Sequence, residues 1–181
     1  MNTESATLFF GLLTFLSMGI GLAALAPWVV RSWRPVIWDT VEPLRLPVAA
    51  AVAGTCMLGS LYFSEIANFT PCTLCWYQRV LMYPSAILLV LAAVRRDLDQ
   101  RRYVLVLAGL GMLVSSYHIL VERFPSTFES SKVCELGVPC SRIWFERFGF
   151  ITLPVMALVG FTTVVALLTI PAPEINEDNP V

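Results

Sequence analysis

Five long apolar stretches, separated by short polar segments, set the pattern of this chain. They run over Ala6–Val30, Leu46–Ala67, Tyr77–Val94, Tyr103–Val121 and Phe150–Ile170. Each is close to the ~20 residues a helix needs to cross a bilayer, and none alternates as a strand would. The pattern predicts an all-α integral membrane protein with five spans. Pro84 and Pro154 fall inside two of the runs, as membrane helices tolerate. Ala49, Ala53, Gly54, Gly59 and Ser60 give the second helix a surface for close packing. The first run lacks basic residues ahead of it and is long for a signal peptide, so a retained helix is expected.

Composition agrees: 57% of the 181 residues are hydrophobic and 14% charged. Mean hydropathy is +0.73. A formal net charge of −1 leaves no footprint for nucleic acid. Basic residues set the expected orientation. Arg31, Arg34, Arg45, Arg95, Arg96, Arg101 and Arg102 lie on one side, seven of the twelve Lys and Arg. That side is read as cytoplasmic. The chain's N-terminus and both close cysteine pairs then face outward, and the acidic tail Pro171–Val181 is expected to be disordered in the cytoplasm.

The five cysteines are Cys56, Cys72, Cys75, Cys134 and Cys140. Cys56 lies in an apolar run and reads as a small buried hydrophobe. Cys72 and Cys75 sit where a helix begins, behind Pro71, which suits a first turn. Free N–H groups and the macrodipole there favour a thiolate. Arg79, four residues after Cys75, adds a positive charge on the same face. The second pair, Cys134-Glu-Leu-Gly-Val-Pro-Cys140, contains Gly137 and Pro139, which let the chain turn back. As a staple so small a ring would contribute only about 2–2.5 kcal/mol. An exposed small-ring disulfide is instead suited to exchange. Glu65 and His118, ionisable groups near helix ends, are candidates for proton delivery or for simple contact with interfacial water.

The run Pro71-Cys72-Thr73-Leu74-Cys75-Trp76-Tyr77-Gln78-Arg79, with Phe63-Ser64-Glu65-Ile66 ahead and Met82-Tyr83-Pro84 behind, resembles the DsbB family of membrane thiol oxidoreductases. The close spacing of the second pair, and Trp144 with Gly149-Phe150-Ile151-Thr152-Leu153-Pro154, look like its BdbC branch. The resemblance covers about Leu46–Ile170. It implies a four-helix redox core over 46–170, preceded over 1–45 by an added helix and cytoplasmic loop and followed by the tail 171–181. It implies redox-active disulfides Cys72–Cys75 and Cys134–Cys140, and no metal. It also implies a quinone acceptor, ubiquinone or menaquinone, near Arg79, Gln78 and His118. The aromatic residues Tyr62, Phe63, Phe69, Trp76 and Tyr77 are further candidates to line the quinone site. The implied partner is a DsbA/BdbD-like extracytoplasmic thiol oxidase of thioredoxin type, and the implied location is the cytoplasmic (inner) membrane. Three alternatives stand beside it: a vitamin K epoxide reductase-like enzyme, a four-cysteine metal-binding membrane protein, and a membrane protein with two structural staples. In the first, the quinone-side C-x-x-C follows the loop pair, whereas here it precedes it.

The orientation is open to test. After reduction, a membrane-impermeant thiol reagent applied to intact cells should label Cys134 and Cys140. Labelling confined to inverted vesicles would reverse the topology.

Overall fold

The computed structural model describes residues 3–30, 32, 34–128 and 138–170. Among them the main elements are helices: α1 Thr3–Val29, α2 Arg34–Val41, α3 Arg45–Leu61, α4 Thr73–Arg95, α5 Arg101–Arg123, α6 Pro125–Phe128 and α7 Leu153–Leu168. The all-α membrane bundle expected from the apolar runs is thus present. Four helical segments are long and apolar enough to cross a membrane: α1, Trp38–Ile66 (which includes α3), α4 and α5. The fifth run gives a shorter helix, because α7 begins at Leu153 and not at Phe150.

The reason lies in the turn before α7. Phe148 and Gly149 both have positive φ, 54° and 79°. Arg147 and Ile151 form an antiparallel bridge across them. Thr152 is extended, and Pro154 falls at the start of the helix, where no N–H is needed. Pro154 is therefore an initiator, not the interior proline that the run suggested. The sixteen residues of α7 span about 24 Å, against about 34 Å for α4 and α5.

α3 ends in a π-helical turn, Tyr62–Ile66. The segment before α3, expected as a loop, is the short helix α2. α4 and α5 are joined by a tight connection in which Arg96 caps α4 in the left-handed conformation. The core packs α3 against α4, α4 against α5, and α7 against α1, α3 and α5. Its centre is Leu89, Val104, Phe161, Val164 and Leu167, each about 1% exposed or less. Without a strong hydrophobic force between helices in lipid, such contacts depend on close backbone approach. Gly111 of α5 supplies one: a Cβ there would overlap the Phe161 ring.

The end of the bundle that carries Cys72 and Cys75 gathers the N-termini of α4 and α7 and the C-termini of α3 and α5. The N-terminal part of α1 lies at the same end, where Arg147 donates to the Thr7 hydroxyl (3.1 Å) and the Glu4 carbonyl (3.3 Å).

Gly111→Ala should therefore lower thermal stability in detergent by about 1–3 kcal/mol. Adding Phe161→Leu should recover part of the loss, which a change in helix propensity alone would not permit.

Candidate functional site

The site starts with the first turn of α4. Cys72 is the N-cap, in extended conformation (φ −75°, ψ 174°), and its sulfur accepts the Cys75 N–H at 3.4 Å. Both cysteines are free thiols, with sulfurs 3.0 Å apart. Of the two cysteines, the helix N-terminus thus serves Cys72. The Cys72 thiol is pulled down to about 4. The hydrogen bond with Cys75 is the largest cause; burial opposes it, and His118 and the Cys75 N–H assist.

His118 comes from α5 and is buried. Its Nε2 lies 3.6 Å from the Cys72 sulfur and 3.1 Å from the Cys140 carbonyl. Its Nδ1 faces the amide nitrogen of Gln78 at 3.3 Å. A carbonyl can only accept and an amide N–H only donates, so these partners place the ring proton on Nε2. Cys140 is disulfide-bonded and packs with Cys72, Leu74 and Val121 in one small cluster. Cys134 lies outside the described residues.

Arg79 lies on the other side of α4. It is buried, donating from Nε and Nη2 to the hydroxyl and carbonyl of Ser60 at 2.9 and 3.0 Å. Its guanidinium lies over the Trp76 ring, 5.2 Å from the centroid. Among the described residues no carboxylate pairs with it. A cavity of about 450 Å³ opens there, bordered by Cys75, Gln78 and Arg79. Its volume is that of a small-molecule site. Phe63 and Phe69 line it, and Phe69 stacks between Phe63 and Trp144, 5.7 and 5.0 Å between centroids.

Five of the seven expected site residues, Cys72, Cys75, Gln78, His118 and Cys140, form one cluster. Arg79 faces the cavity beside Cys75, whereas His118 faces Cys72 and is not among the cavity's lining residues. Gln78 touches both sides. Tyr62, Trp76 and Tyr77 do not line the cavity, and Glu65 is exposed, bonded to Ser64. Cys56 does line it, with its sulfur packed beside Gly160.

Sequence reasoning passed over two residues. Ser60 read as a packing residue, yet it orients Arg79. Glu122, one turn after His118, is buried and accepts from Thr152 at 2.7 Å. That bond and the Arg123–Glu146 ion pair at 2.9 Å tie residues 146–152 to the end of α5. The i, i+4 spacing of His118 and Glu122 was the available signal.

The Cys72, Cys75 and His118 ligand atoms lie within 4.8 Å of one another. Two thiolates on one zinc stand about 3.8 Å apart, given Zn–S bonds of about 2.3 Å at a tetrahedral angle. The 3.0 Å sulfur contact is closer than that and suits a thiol–thiolate pair or its oxidation.

Comparison with known proteins gives one family. A family model described as "Disulfide bond formation protein DsbB" matches residues 43–171. The chain is 46% identical over 117 residues to disulfide bond formation protein C of Bacillus subtilis, covering 65% of this chain and 84% of that protein. It is 42% identical over 111 residues to a probable disulfide formation protein of Oceanobacillus iheyensis, covering 61% and 77%. Over 130 residues it is 36% identical to probable disulfide formation protein C 2 of Bacillus anthracis, covering 72% and 91%. No solved structure matches.

The lowered Cys72 value has a pH signature. In reduced protein carrying Cys56→Ala, Cys134→Ser and Cys140→Ser, one thiolate absorbance should persist down to about pH 4 and vanish below it. Cys72→Ser should abolish it. The unfolded thiol titrates near 8.5, so the folded anion's contribution to stability is complete above that pH and is lost as pH falls through about 4. Titration near 8.5 in the folded protein would refute the Cys75 thiol hydrogen bond as the group that holds the Cys72 thiolate.

Proposed function

The chain belongs to the DsbB family and is a disulfide-forming membrane thiol oxidoreductase, and from that premise we propose that it reoxidises an extracytoplasmic thioredoxin-like dithiol protein and passes the electrons to a membrane quinone. The observation that carries this reading is the division of the two inner cysteines. Cys72 packs with Cys140 and His118, while Cys75 borders the cavity with Arg79.

The thiol exchanges are nucleophilic displacements at sulfur. The partner's thiolate attacks Cys134, breaking Cys134–Cys140 and releasing the Cys140 thiolate. Cys140 attacks Cys72, breaking Cys72–Cys75 and releasing the Cys75 thiolate. The partner's second thiolate resolves its bond to Cys134 and leaves oxidised. Cys134 then attacks Cys140, restoring the outer disulfide and leaving Cys72 and Cys75 reduced. The single His118 Nε2–H is shared between the Cys140 carbonyl and the Cys72 sulfur, and the Cys75 N–H holds the same sulfur from the helix end. Cys72 is thus a stabilised leaving group in the last exchange.

The residues present fit a quinone: buried donors at one end of a cavity whose remaining lining is mostly apolar. When bound, a quinone supplies a two-electron, two-proton acceptor, and re-forming Cys72–Cys75 supplies both electrons. Arg79 is held by Ser60 and lacks a carboxylate partner among the described residues, so its charge is available to developing negative charge at the cavity. A strongly oxidising acceptor is required. Protein oxidants of this class sit near −120 mV, about 100 mV above glutathione pools, a gap of about 4–5 kcal/mol. The basic loops, read as cytoplasmic, put both cysteine pairs on the oxidising side of the cytoplasmic membrane.

Purified protein should oxidise a reduced thioredoxin-like partner only when quinone is supplied. Arg79→Ala should lower quinone-dependent turnover at least tenfold, with Arg79→Lys intermediate because an ammonium cannot span both Ser60 acceptors. In both variants, a partner lacking its resolving cysteine should still become trapped on Cys134. Loss of trapping with quinone reduction intact would move Arg79 to the docking surface. Oxidation independent of quinone would overturn the acceptor assignment.

A further inference from the structure

α1 lies outside the segment that matches the family, which begins at residue 43. Its position is nonetheless well fastened. Ser17 donates to the Thr163 hydroxyl at 3.1 Å, and that hydroxyl donates to the Ser17 carbonyl at 3.0 Å. The Phe10 ring sits against Gly59 of α3, where an added Cβ would come within 2.8 Å of it. Arg147 binds the first turns of α1 from the redox loop. One face of α1 is left to lipid, with Leu12, Leu22 and Trp28 more than half exposed.

The inner face borders the cavity. Phe10, Leu13, Thr14, Ser17 and Ile20 line it along with Cys75 and Arg79. The Thr14 hydroxyl bonds to the Phe10 carbonyl of its own helix at 2.8 Å, and the Ser17 hydroxyl is engaged by Thr163. The wall therefore offers mostly hydrocarbon. The cavity's far lining is Leu44, Pro47 and Val48, and its near lining includes Ser60. Sixteen residues of helical rise separate Leu44 from Ser60, about 24 Å. Phe10 and Ile20 are separated by about 15 Å along α1 in the same way. Gln78, Arg79, Tyr83 and Ser60 gather at the near end. The shape matches a ligand with a compact polar head and a long apolar tail.

We infer that α1 is a wall of the acceptor site that holds the quinone's prenyl tail, so that this chain selects long-tailed over tail-less quinones through residues outside the family segment. The inference rests on the quinone reading above. The head groups are served by α3 and α4, whereas the tail runs between those helices, α7 and α1. Ile20, about 15 Å below Phe10, is then a specificity-determining position.

The test uses the full-length protein in detergent–lipid micelles with a reduced thioredoxin-like partner. Two acceptors are compared, a tail-less quinone and one with a long prenyl tail. Ile20→Trp should raise the ratio of long-tailed to tail-less KM about tenfold over wild type. Leu22→Trp, on the lipid face, should leave that ratio within about twofold. A second measurement needs no variant: a long-tailed quinone bearing a photoreactive group midway along its tail should label α1 in the wild-type protein. An unchanged KM ratio in Ile20→Trp, or label confined to α3, α4 and α7, would overturn the inference while the quinone reading stands. Wild-type protein that reduces neither quinone would overturn both.

Discussion

The redox end of this molecule depends on one helix start. A helix leaves its first N–H groups without internal partners, and here a sulfur takes up one of them. With Cys72 fixed as the N-cap, helical geometry dictates where Cys75, Gln78 and Arg79 point. Cys72 faces the loop carrying Cys140. Cys75 and Arg79 face the cavity. Gln78 lies between, bonded to His118 and bordering the cavity. Two thiols three residues apart thus face two environments that share little else, one beside Cys140 and His118 and one beside the cavity.

That arrangement must be held in place, and the polar bonds at this end do so. Ser60 spends its hydroxyl and its carbonyl on Arg79, next to the π-helical turn that ends α3. π-turns recur at functional sites, where a change of helical winding re-aims neighbouring groups. The redox loop is tied to α5 through Glu122–Thr152 and Arg123–Glu146, adjacent residues that grip it twice. Above the cavity, Phe69 is stacked between Phe63 and Trp144, joining the end of α3 to the same loop. Buried polar groups are costly when unpaired, so the Arg79–Ser60 and Glu122–Thr152 bonds restrict the loop and helix ends to arrangements that keep them, while the exposed Arg123–Glu146 pair adds little.

The helices themselves pack by a different rule. In an apolar solvent the apolar side chains gain little by meeting each other, and small residues decide which surfaces approach. Gly111 admits Phe161 between α5 and α7, and Gly59 admits Phe10 between α3 and α1. The second of these contacts seats α1 on the bundle.

The sequence alone determined what depends on near neighbours and on solvent. Apolar runs of bilayer length mark the spanning helices, because backbone in lipid must satisfy its own hydrogen bonds. The C-x-x-C at a helix start and Arg79 one turn on were legible because residues three and four apart share a face. The start of α7 was misjudged by three residues, since an apolar run does not register the turn at Gly149 or the extended Thr152. Only the tertiary structure decided that His118 meets Cys72, 46 residues away, and Gln78, 40 residues away. It also decided that the N-terminal thiolate is Cys72, and that Ser60 and Glu122 hold the site. The role of α1 was invisible for a related reason. A helix apolar on all sides carries no moment to say which face meets lipid and which meets protein, so its inner face exists only once its neighbours are in place.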